Sequence, residues 1–178
     1  YDLPWNPMRL VQRHGRIDIA INNAGGAPET DAATASPRFS ESIIGLNLLA
    51  PLHVAQRANH HMQAGAGGVI VNIASVSGTR PSPGTAAYGA AKAGLINLTS
   101  SLAIEWAPKV RVVAIVAGMI ATEQTELHYG DEDAQARVAA TIPAGRLGLP
   151  EDLAQACRWL SSPFASYVSG SSVWVHGA

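Results

Sequence analysis

The sequence predicts an α/β fold: a doubly wound parallel sheet with helices on both faces. Four short apolar runs alternate along the 178 residues with segments of helical pattern. A run that is apolar throughout is typical of a strand buried on both faces. Strands that alternate with helices favour right-handed βαβ units, which place the strands parallel in one sheet.

The predicted elements follow one another along the whole chain. Ahead of the first strand, "MRLVQRHG" (8–15) is typical of the last turns of a helix. The predicted strands are "IDIAIN" (17–22), "GVIVNIA" (68–74), "VRVVAIV" (110–116) and "SSVWVHG" (171–177). The predicted helices cover about residues 40–62, 85–106, 131–140 and 150–162. No repeat or long linker divides the chain, so a single domain is predicted.

Composition narrows the classes of partner. The chain is 47% hydrophobic and 14% charged, which is typical of a globular domain with its own core. A net charge of −1 offers no basic stripe for nucleic acid, and no apolar run is long enough to cross a bilayer. We therefore expect no nucleic-acid partner and no membrane partner.

Neither the cysteine nor the histidines indicate a metal centre. The single cysteine, Cys157, lies in an apolar helical pattern and is interpreted as a buried structural thiol in a reducing, cytoplasmic setting. The densest histidine group is His53, His60 and His61, and no Cys, Asp or Glu completes a ligand spacing there. These histidines are interpreted as solvated helix-end residues, and no metal is predicted.

Small and polar residues gather where three predicted strands end. Residues 17–22 run into "NNAGG", 68–74 into "SVSG" and 110–116 into "AGMIAT". Ligands of parallel α/β sheets bind outside the carboxyl ends of the strands. The sequence therefore predicts a ligand site at this edge of the sheet.

A phenol and an amine share one side of the second long helix. Tyr88 and Lys92 are four residues apart in "AAYGAAKAGL", so they lie one above the other. Ser75, at the end of a strand, lies thirteen residues before Tyr88. A nearby ammonium favours the phenolate, and a serine hydroxyl can polarise a carbonyl oxygen. The three groups predict a site that makes or unmakes a carbonyl, with Lys92 expected to lower the pKa of Tyr88.

These motifs together resemble the short-chain dehydrogenase/reductase family. The motifs are "NNAG" (22–25), "LN" (46–47), Ser75, "YGAAK" (88–92), "AGMIAT" (117–122) and the tail "GRLGLPEDLAQACRWLSSPFASYVSGSSVWVHG". They follow in the family's order over nearly the whole chain. The resemblance implies a Rossmann-like fold and an NAD- or NADP-dependent oxidoreductase that interconverts a secondary alcohol and a ketone.

The resemblance also implies roles for four catalytic residues. Tyr88 would be the general acid/base, and Ser75 would orient the substrate oxygen. Lys92 would act on the tyrosine pKa and hydrogen-bond the nicotinamide ribose. Asn47 would hold a water that links the lysine to solvent, although by itself it is equally a polar residue tolerated in a helix.

Further residues would contact the cofactor. By the same resemblance these are Asn22, Ala24, Gly25, Tyr88, Lys92, Gly118, Ile120 and Thr122. The chain departs from the family at Ala117–Gly118, where proline-glycine is usual; we expect a small effect because the glycine is kept. The Gly-rich turn that meets the pyrophosphate, with the residue that separates NAD from NADP, is not in this sequence. We therefore expect residues 1–178 to be the C-terminal part of one domain, with a nucleotide-binding segment before Tyr1 in the working protein.

Three function classes stay open at this point. The first is a dehydrogenase or ketone reductase acting on a mainly apolar alcohol or ketone, with residues 119–145 as substrate segment. The second is an epimerase or dehydratase of the family's extended branch, which the short segment after residue 117 disfavours. The third is a non-catalytic binding or scaffold relative, which the intact Tyr88–Lys92 pair disfavours. The resemblance further implies a homodimer or homotetramer packed through the two long helices.

Overall fold

The computed structural model describes residues 7–123 and 125–178. Its described strands form one four-stranded parallel sheet in the order β1-β2-β3-β4. Their bounds are Ile19–Asn22 (β1), Gly68–Ser75 (β2), Val110–Ala117 (β3) and Ser172–Val175 (β4). The predicted parallel sheet is confirmed. Strand β4 is shorter than predicted because β3 ends at Ala117, the residue paired with Val175.

Helices connect the strands. They are α1 (Pro7–His14), α2 (Pro37–Ile44), α3 (Ala50–Ala64), α4 (Ala86–Trp106), α5 (Thr125–Tyr129), α6 (Glu132–Ala140) and α7 (Pro150–Leu160). Two 3₁₀ turns cover Val76–Gly78 and Pro163–Ala165. The described helix before β1 begins at Pro7. The expected nucleotide-binding segment would join the chain before Tyr1, and residues 1–6 lie outside the described residues.

The helix predicted at 40–62 is in fact two helices joined by a π turn, Gly45–Leu49. Helix α2 starts earlier than predicted because the Ser36 side chain accepts a hydrogen bond from the Phe39 amide, with Pro37 at the first helical position. The π turn precedes Pro51, which lacks the amide hydrogen that a regular helix would give to the Asn47 carbonyl. The proline therefore explains why the helical pattern is interrupted there.

Helices cover both faces of the sheet. On one face, α3 and α4 pack against the sheet through residues that include Ala55, Met62, Ile70, Leu102 and Val112. On the other face, α7 and the 3₁₀ turn after it pack through residues that include Val71, Ile115, Leu160 and Ala165. This two-sided arrangement confirms the doubly wound class and leaves the carboxyl ends of the strands accessible at one edge.

Strand β1 carries apolar side chains on an uncovered face. Ile19 is 48% exposed and Ile21 is 46% exposed. Among the described strands, β1 pairs with β2 alone. Within residues 7–123 and 125–178, no helix combines the length and the apolar character that a membrane span requires.

A buried polar network joins β1, β2 and α4. The Asn22 amide nitrogen donates to Asn72 Oδ1 (2.8 Å) and to the Pro51 carbonyl (3.2 Å). The Asn72 amide nitrogen donates to the Thr99 hydroxyl at 2.9 Å, and that hydroxyl donates to the Leu95 carbonyl. Because buried polar groups are costly unless they are paired, this network fixes how the three elements sit on one another.

Replacing Asn72 with alanine should lower the free energy of unfolding by about 2–3 kcal/mol, because Asn22 and Thr99 each lose a buried partner. Urea denaturation measures the change. The matched control is Asn97→Ala on the exposed side of α4, which should stay within about 0.5 kcal/mol of the parent. Equal losses in the two variants would show that the network does not stabilise the fold.

Candidate active site

Tyr88 and Lys92 lie together in the first turns of α4. The Lys92 Nζ atom is 5.6 Å from the centroid of the Tyr88 ring. Tyr88 is half-buried, whereas Lys92 is 3% exposed. The helical spacing thus places an amine directly beside a phenol in a largely dry environment.

Ser75 reaches Tyr88 from the end of β2. The Ser75 hydroxyl acts on the Tyr88 phenol and lowers its pKa, and Ser75 Oγ accepts a hydrogen bond from the Ser77 amide at 3.2 Å. That amide belongs to the 3₁₀ turn that follows the strand, so the turn fixes the serine rotamer. A substrate oxygen placed at these hydroxyls would meet two donors at once.

The Lys92 ammonium is anchored to the strand beneath it. Its Nζ donates to the Ile73 carbonyl at 2.7 Å. Burial lowers the pKa of Lys92 to about 8, because a charged amine loses its hydration in the core. The amine therefore carries its proton at neutral pH and releases it well below the range of an ordinary lysine.

Asn47 ties the π turn to the loop after β1. Its amide nitrogen donates to the Ile43 and Gly26 carbonyls, both at 2.9 Å, and its Oδ1 accepts from the Gly26 amide at 2.9 Å. The side chain is fully buried. A π turn in this position is common at functional sites, and here it turns the asparagine inward toward the loop.

Gly25 is where the loop, Asn47 and Lys92 meet. A Cβ atom added at Gly25 would lie 2.7 Å from Asn47 Oδ1 and 3.0 Å from Lys92 Nζ. A side chain at this position would therefore displace one of the two polar groups. Ala24 and Gly25 are both exposed, so their backbone is accessible beside the buried amine.

Asn22 has a different environment from its neighbours in the same motif. Its side chain is buried, and its amide nitrogen is occupied by Asn72 and Pro51. The side chain therefore contributes to the core. That Asn22 contacts the cofactor stays a prediction, and such a contact would be made by the Asn22 backbone.

Gly118, Ile120 and Thr122 follow the end of β3. The Gly118 amide donates to the Val175 carbonyl at 2.9 Å, and Ile120 forms a parallel bridge with Gly148. The Thr122 amide donates to the hydroxyl of Thr125, which opens α5. Since Ser75 pairs with Ala117, these residues lie beside the strand that carries the serine.

The ionisation of Tyr88 differs from the sequence-based expectation. Burial raises the pKa of Tyr88, and the hydrogen bond from Ser75 lowers it by a smaller amount. The expected lowering by Lys92 is not found, because the ammonium lies over the ring and is directed to the Ile73 carbonyl. At neutral pH the phenol therefore holds its proton.

Tyr129 lies close enough to Tyr88 for the two phenols to interact electrostatically. Burial and the neighbouring Tyr88 both raise the pKa of Tyr129. Tyr129 ends α5, a short helix absent from the predicted elements, although the residue lies in the predicted substrate segment. At the start of this helix, the Thr122 amide donates to the Thr125 hydroxyl, and that hydroxyl donates to the Thr122 carbonyl. This pair of threonines is the capping signal that could have revealed the helix.

Other titratable groups lie apart from this cluster. Cys157 is half-buried in α7, and burial raises the pKa of its thiol, as in an unreactive cysteine. The rings of His60 and His61 contact each other edge to face, with centroids 5.2 Å apart. In the described part of the chain, no group of three or more His, Cys, Asp or Glu residues could hold a metal ion.

Comparison with known proteins gives consistent matches over this whole region. A family model described as enoyl-(acyl carrier protein) reductase matches residues 8–177. The 2-dehydro-3-deoxy-D-gluconate 5-dehydrogenase of Escherichia coli is 37% identical, covering 95% of this chain and 68% of the relative. The 3-oxoacyl-[acyl-carrier-protein] reductase of Thermotoga maritima is 36% identical with the same coverages, 95% and 68%.

Solved structures agree with these relatives. A 4-hydroxyisoleucine dehydrogenase complexed with NADH aligns with a TM-score of 0.89 at 32% identity, covering 96% of this chain and 71% of that one. An NADP-bound structure from Agrobacterium tumefaciens, a proposed 2-deoxy-D-gluconate 3-dehydrogenase, aligns with a TM-score of 0.85 at 36% identity, covering 90% and 66%. Fold and matches together define a Rossmann-like protein of the oxidoreductase class.

Within that class, the chain belongs to the short-chain dehydrogenase/reductase family, which confirms the resemblance carried by its motifs. It spans about two thirds of the length of the two relatives above (68% of each). It spans 31% of an uncharacterized short-chain type dehydrogenase/reductase of Sinorhizobium fredii, to which it is 38% identical.

The lowered pKa of Lys92 predicts a pH-dependent stability. Between about pH 8 and the ordinary lysine pKa of 10.5, the unfolded chain binds a proton that the folded chain does not. Stability must therefore rise with pH across that window. From pH 7.5 to 9.5, the free energy of unfolding of wild type should rise by about 1–2 kcal/mol relative to that of Lys92→Met.

Urea denaturation at the two pH values measures this rise. The control is Lys109→Met, at an exposed lysine, which should keep the rise seen in wild type. A flat difference between wild type and Lys92→Met would contradict the buried-amine assignment.

The hydrogen bond from Ser75 predicts a second titration effect. Ser75→Ala removes the group that lowers the pKa of Tyr88, so that phenol should ionise at still higher pH. NMR of ¹³Cζ-labelled tyrosine measures the shift, with the resonance assigned by its loss in Tyr88→Phe. Ser77→Ala, which leaves the Ser77 amide in place, is the control. An unchanged Tyr88 titration in Ser75→Ala would show that the two hydroxyls are not coupled.

Proposed function

We propose that this chain supplies the catalytic part of an NAD- or NADP-dependent oxidoreductase that interconverts a secondary alcohol and a ketone by hydride transfer. The observation that carries the proposal is the cluster of Ser75, Tyr88, Lys92 and Asn47 at the carboxyl end of β2. Support comes from relatives named as dehydrogenases and reductases and from structural neighbours that hold NADH or NADP.

Tyr88 is the proton carrier in this proposal. In ketone reduction, the phenol gives its proton to the substrate oxygen while Ser75 donates a second hydrogen bond to the same atom. The raised pKa of Tyr88 suits this direction, because the phenol is protonated at neutral pH. In alcohol oxidation the same groups act in reverse, and Tyr88 takes the hydroxyl proton from its deprotonated, phenolate form, which its raised pKa confines to high pH.

Lys92 and Asn47 support the phenol from beneath. The Lys92 Nζ atom lies 5.6 Å from the centroid of the Tyr88 ring, and its hydrogen bond to the Ile73 carbonyl holds the amine in that position. The side-chain amide of Asn47 is already hydrogen-bonded to Gly26 and Ile43. The proposed water would therefore be held by the main-chain carbonyl of Asn47. That carbonyl lacks the usual amide partner because residue 51 is proline.

The loop after β1 fits a bound dinucleotide. The backbone at Ala24 and Gly25 is exposed, and at Gly25 a side chain would crowd Lys92 Nζ and Asn47 Oδ1. We assign Asn22 by its backbone, Gly118, Ile120 and Thr122 to the same cofactor. When bound, the nicotinamide would supply or accept the hydride; Lys92 would hydrogen-bond its ribose.

The domain and its assembly belong to the same proposal. The uncovered Ile19 and Ile21 of β1 support a further part of the domain on that side of the sheet, where the Gly-rich turn would lie. Leu46 and Leu49 of the π turn and Ile104 of α4, which is 81% exposed, support assembly as a homodimer or homotetramer through the long helices.

Tyr88→Phe tests the proposed function directly. It removes the proton carrier and almost no volume, so kcat should fall by about a thousandfold or more while the cofactor Kd stays nearly unchanged. Oxidation of NAD(P)H with a panel of ketones measures both rate and binding. Tyr167→Phe is the control, because Tyr167 is fully exposed and should keep its rate. Retention of more than about a tenth of kcat in Tyr88→Phe would falsify the assignment.

A further inference from the structure

A cavity is lined on one side by Tyr88, and its other lining residues are not among those assigned to catalysis or to the cofactor. Its volume is about 250 Å³, and its walls come from the segment 27–43 and from residues 84–88. The cavity is partly open to solvent, and its volume approaches the lower end of the range of small-molecule sites. A space of this volume against the proposed proton carrier calls for an occupant.

Backbone contacts hold the two walls together. The Thr30 amide donates to the Gly84 carbonyl at 2.8 Å. Gly84 has a φ of +77°, and a Cβ added there would lie 2.7 Å from Glu29 Oε1. The positive φ favours glycine here, so the junction between the walls is specified by the sequence.

The lining is neutral. Eight of the thirteen lining residues are alanine, proline, phenylalanine or isoleucine, four carry hydroxyl groups, and the last is Gly84. None is basic, and the Glu29 carboxylate stands directly behind Gly84. An anionic group in this cavity would lose its hydration without gaining a cation, and it would face a like charge.

We propose that this cavity receives the part of the substrate that extends away from the reacting carbonyl, and that it selects an uncharged, mainly apolar group over a carboxylate or phosphate. The proposal rests on the function proposed above, because Tyr88 is shared by the cavity wall and the reacting site. Ala87 and Phe39 are then specificity-determining residues. Ala87 limits the room beside Tyr88, and Phe39 forms the apolar wall contributed by α2.

The test compares two ketones that differ at one ring substituent, a neutral methyl group in 4-methylacetophenone and a carboxylate in 4-acetylbenzoate. Amide chemical shifts of the ¹⁵N-labelled protein, titrated without cofactor, give the Kd of each. We expect the neutral ketone to bind about tenfold or more tightly than the carboxylate, with shifts at Thr30 and Ala87. Ala87→Leu fills the cavity and should weaken the neutral ketone by about tenfold or more. Ala90→Leu, an exposed position on the same helix that does not line the cavity, should change its Kd by less than about twofold.

The outcomes separate this proposal from the catalytic one. Selective neutral binding that Tyr88→Phe keeps and Ala87→Leu loses supports the cavity, even if no ketone is turned over. Equal or tighter binding of 4-acetylbenzoate, or an unchanged Kd in Ala87→Leu, overturns the cavity proposal even if ketones are reduced. Should Ala87→Leu not fold, Ala35→Leu fills the opposite wall and is expected to weaken binding equally.

Discussion

The buried hydrogen bond from the Lys92 ammonium to the Ile73 carbonyl is the contact on which the site depends. This bond joins α4 to β2 two residues before Ser75, which ends the strand. It therefore sets the position of α4 along β2, and with it the position of Tyr88. A neutral side chain could pack there, but it would supply neither a donor to the carbonyl nor a charge beside the phenol. The energetic cost of burying the amine is visible in its lowered pKa.

Other buried polar side chains near Lys92 also join separate elements through hydrogen bonds. Asn72 joins β1 to α4 through Asn22 and Thr99, and Asn47 joins the π turn to Gly26. Each of these amides is buried and satisfied by partners on a different element, so each fixes one distance between elements rather than adding apolar area. Apolar packing holds the layers together on both faces, but it tolerates small shifts. Directional hydrogen bonds are what keep the hydroxyls of Ser75 and Tyr88 in register.

The sequence was informative where a pattern is local or repeated. Strand positions were predicted within two residues because parallel strands buried on both faces are apolar throughout, and the Tyr88–Lys92 pairing follows from helical geometry. The π turn could not be read from periodicity, since Pro51 is also acceptable in the first turn of a helix. The pKa of Tyr88 was missed because it depends on how deeply α4 packs and on where the ammonium points, and both are set by contacts far apart in the chain. The inward direction of the Asn22 side chain likewise depends on Asn72, fifty residues away.

The two proposals place catalysis and selectivity on two sides of one residue, Tyr88. Toward the sheet, Tyr88 faces Ser75 and Lys92, groups whose positions are fixed by the strand and which any carbonyl would meet in the same way. Toward α2, it faces a cavity walled by a loop and by short side chains, which can be exchanged without moving the strand. A substrate group that fills the cavity would exclude more water from the phenol and strengthen its hydrogen bond to Ser75. Under these proposals, recognition in the cavity and proton transfer at the hydroxyl would be coupled through the hydration of a single side chain.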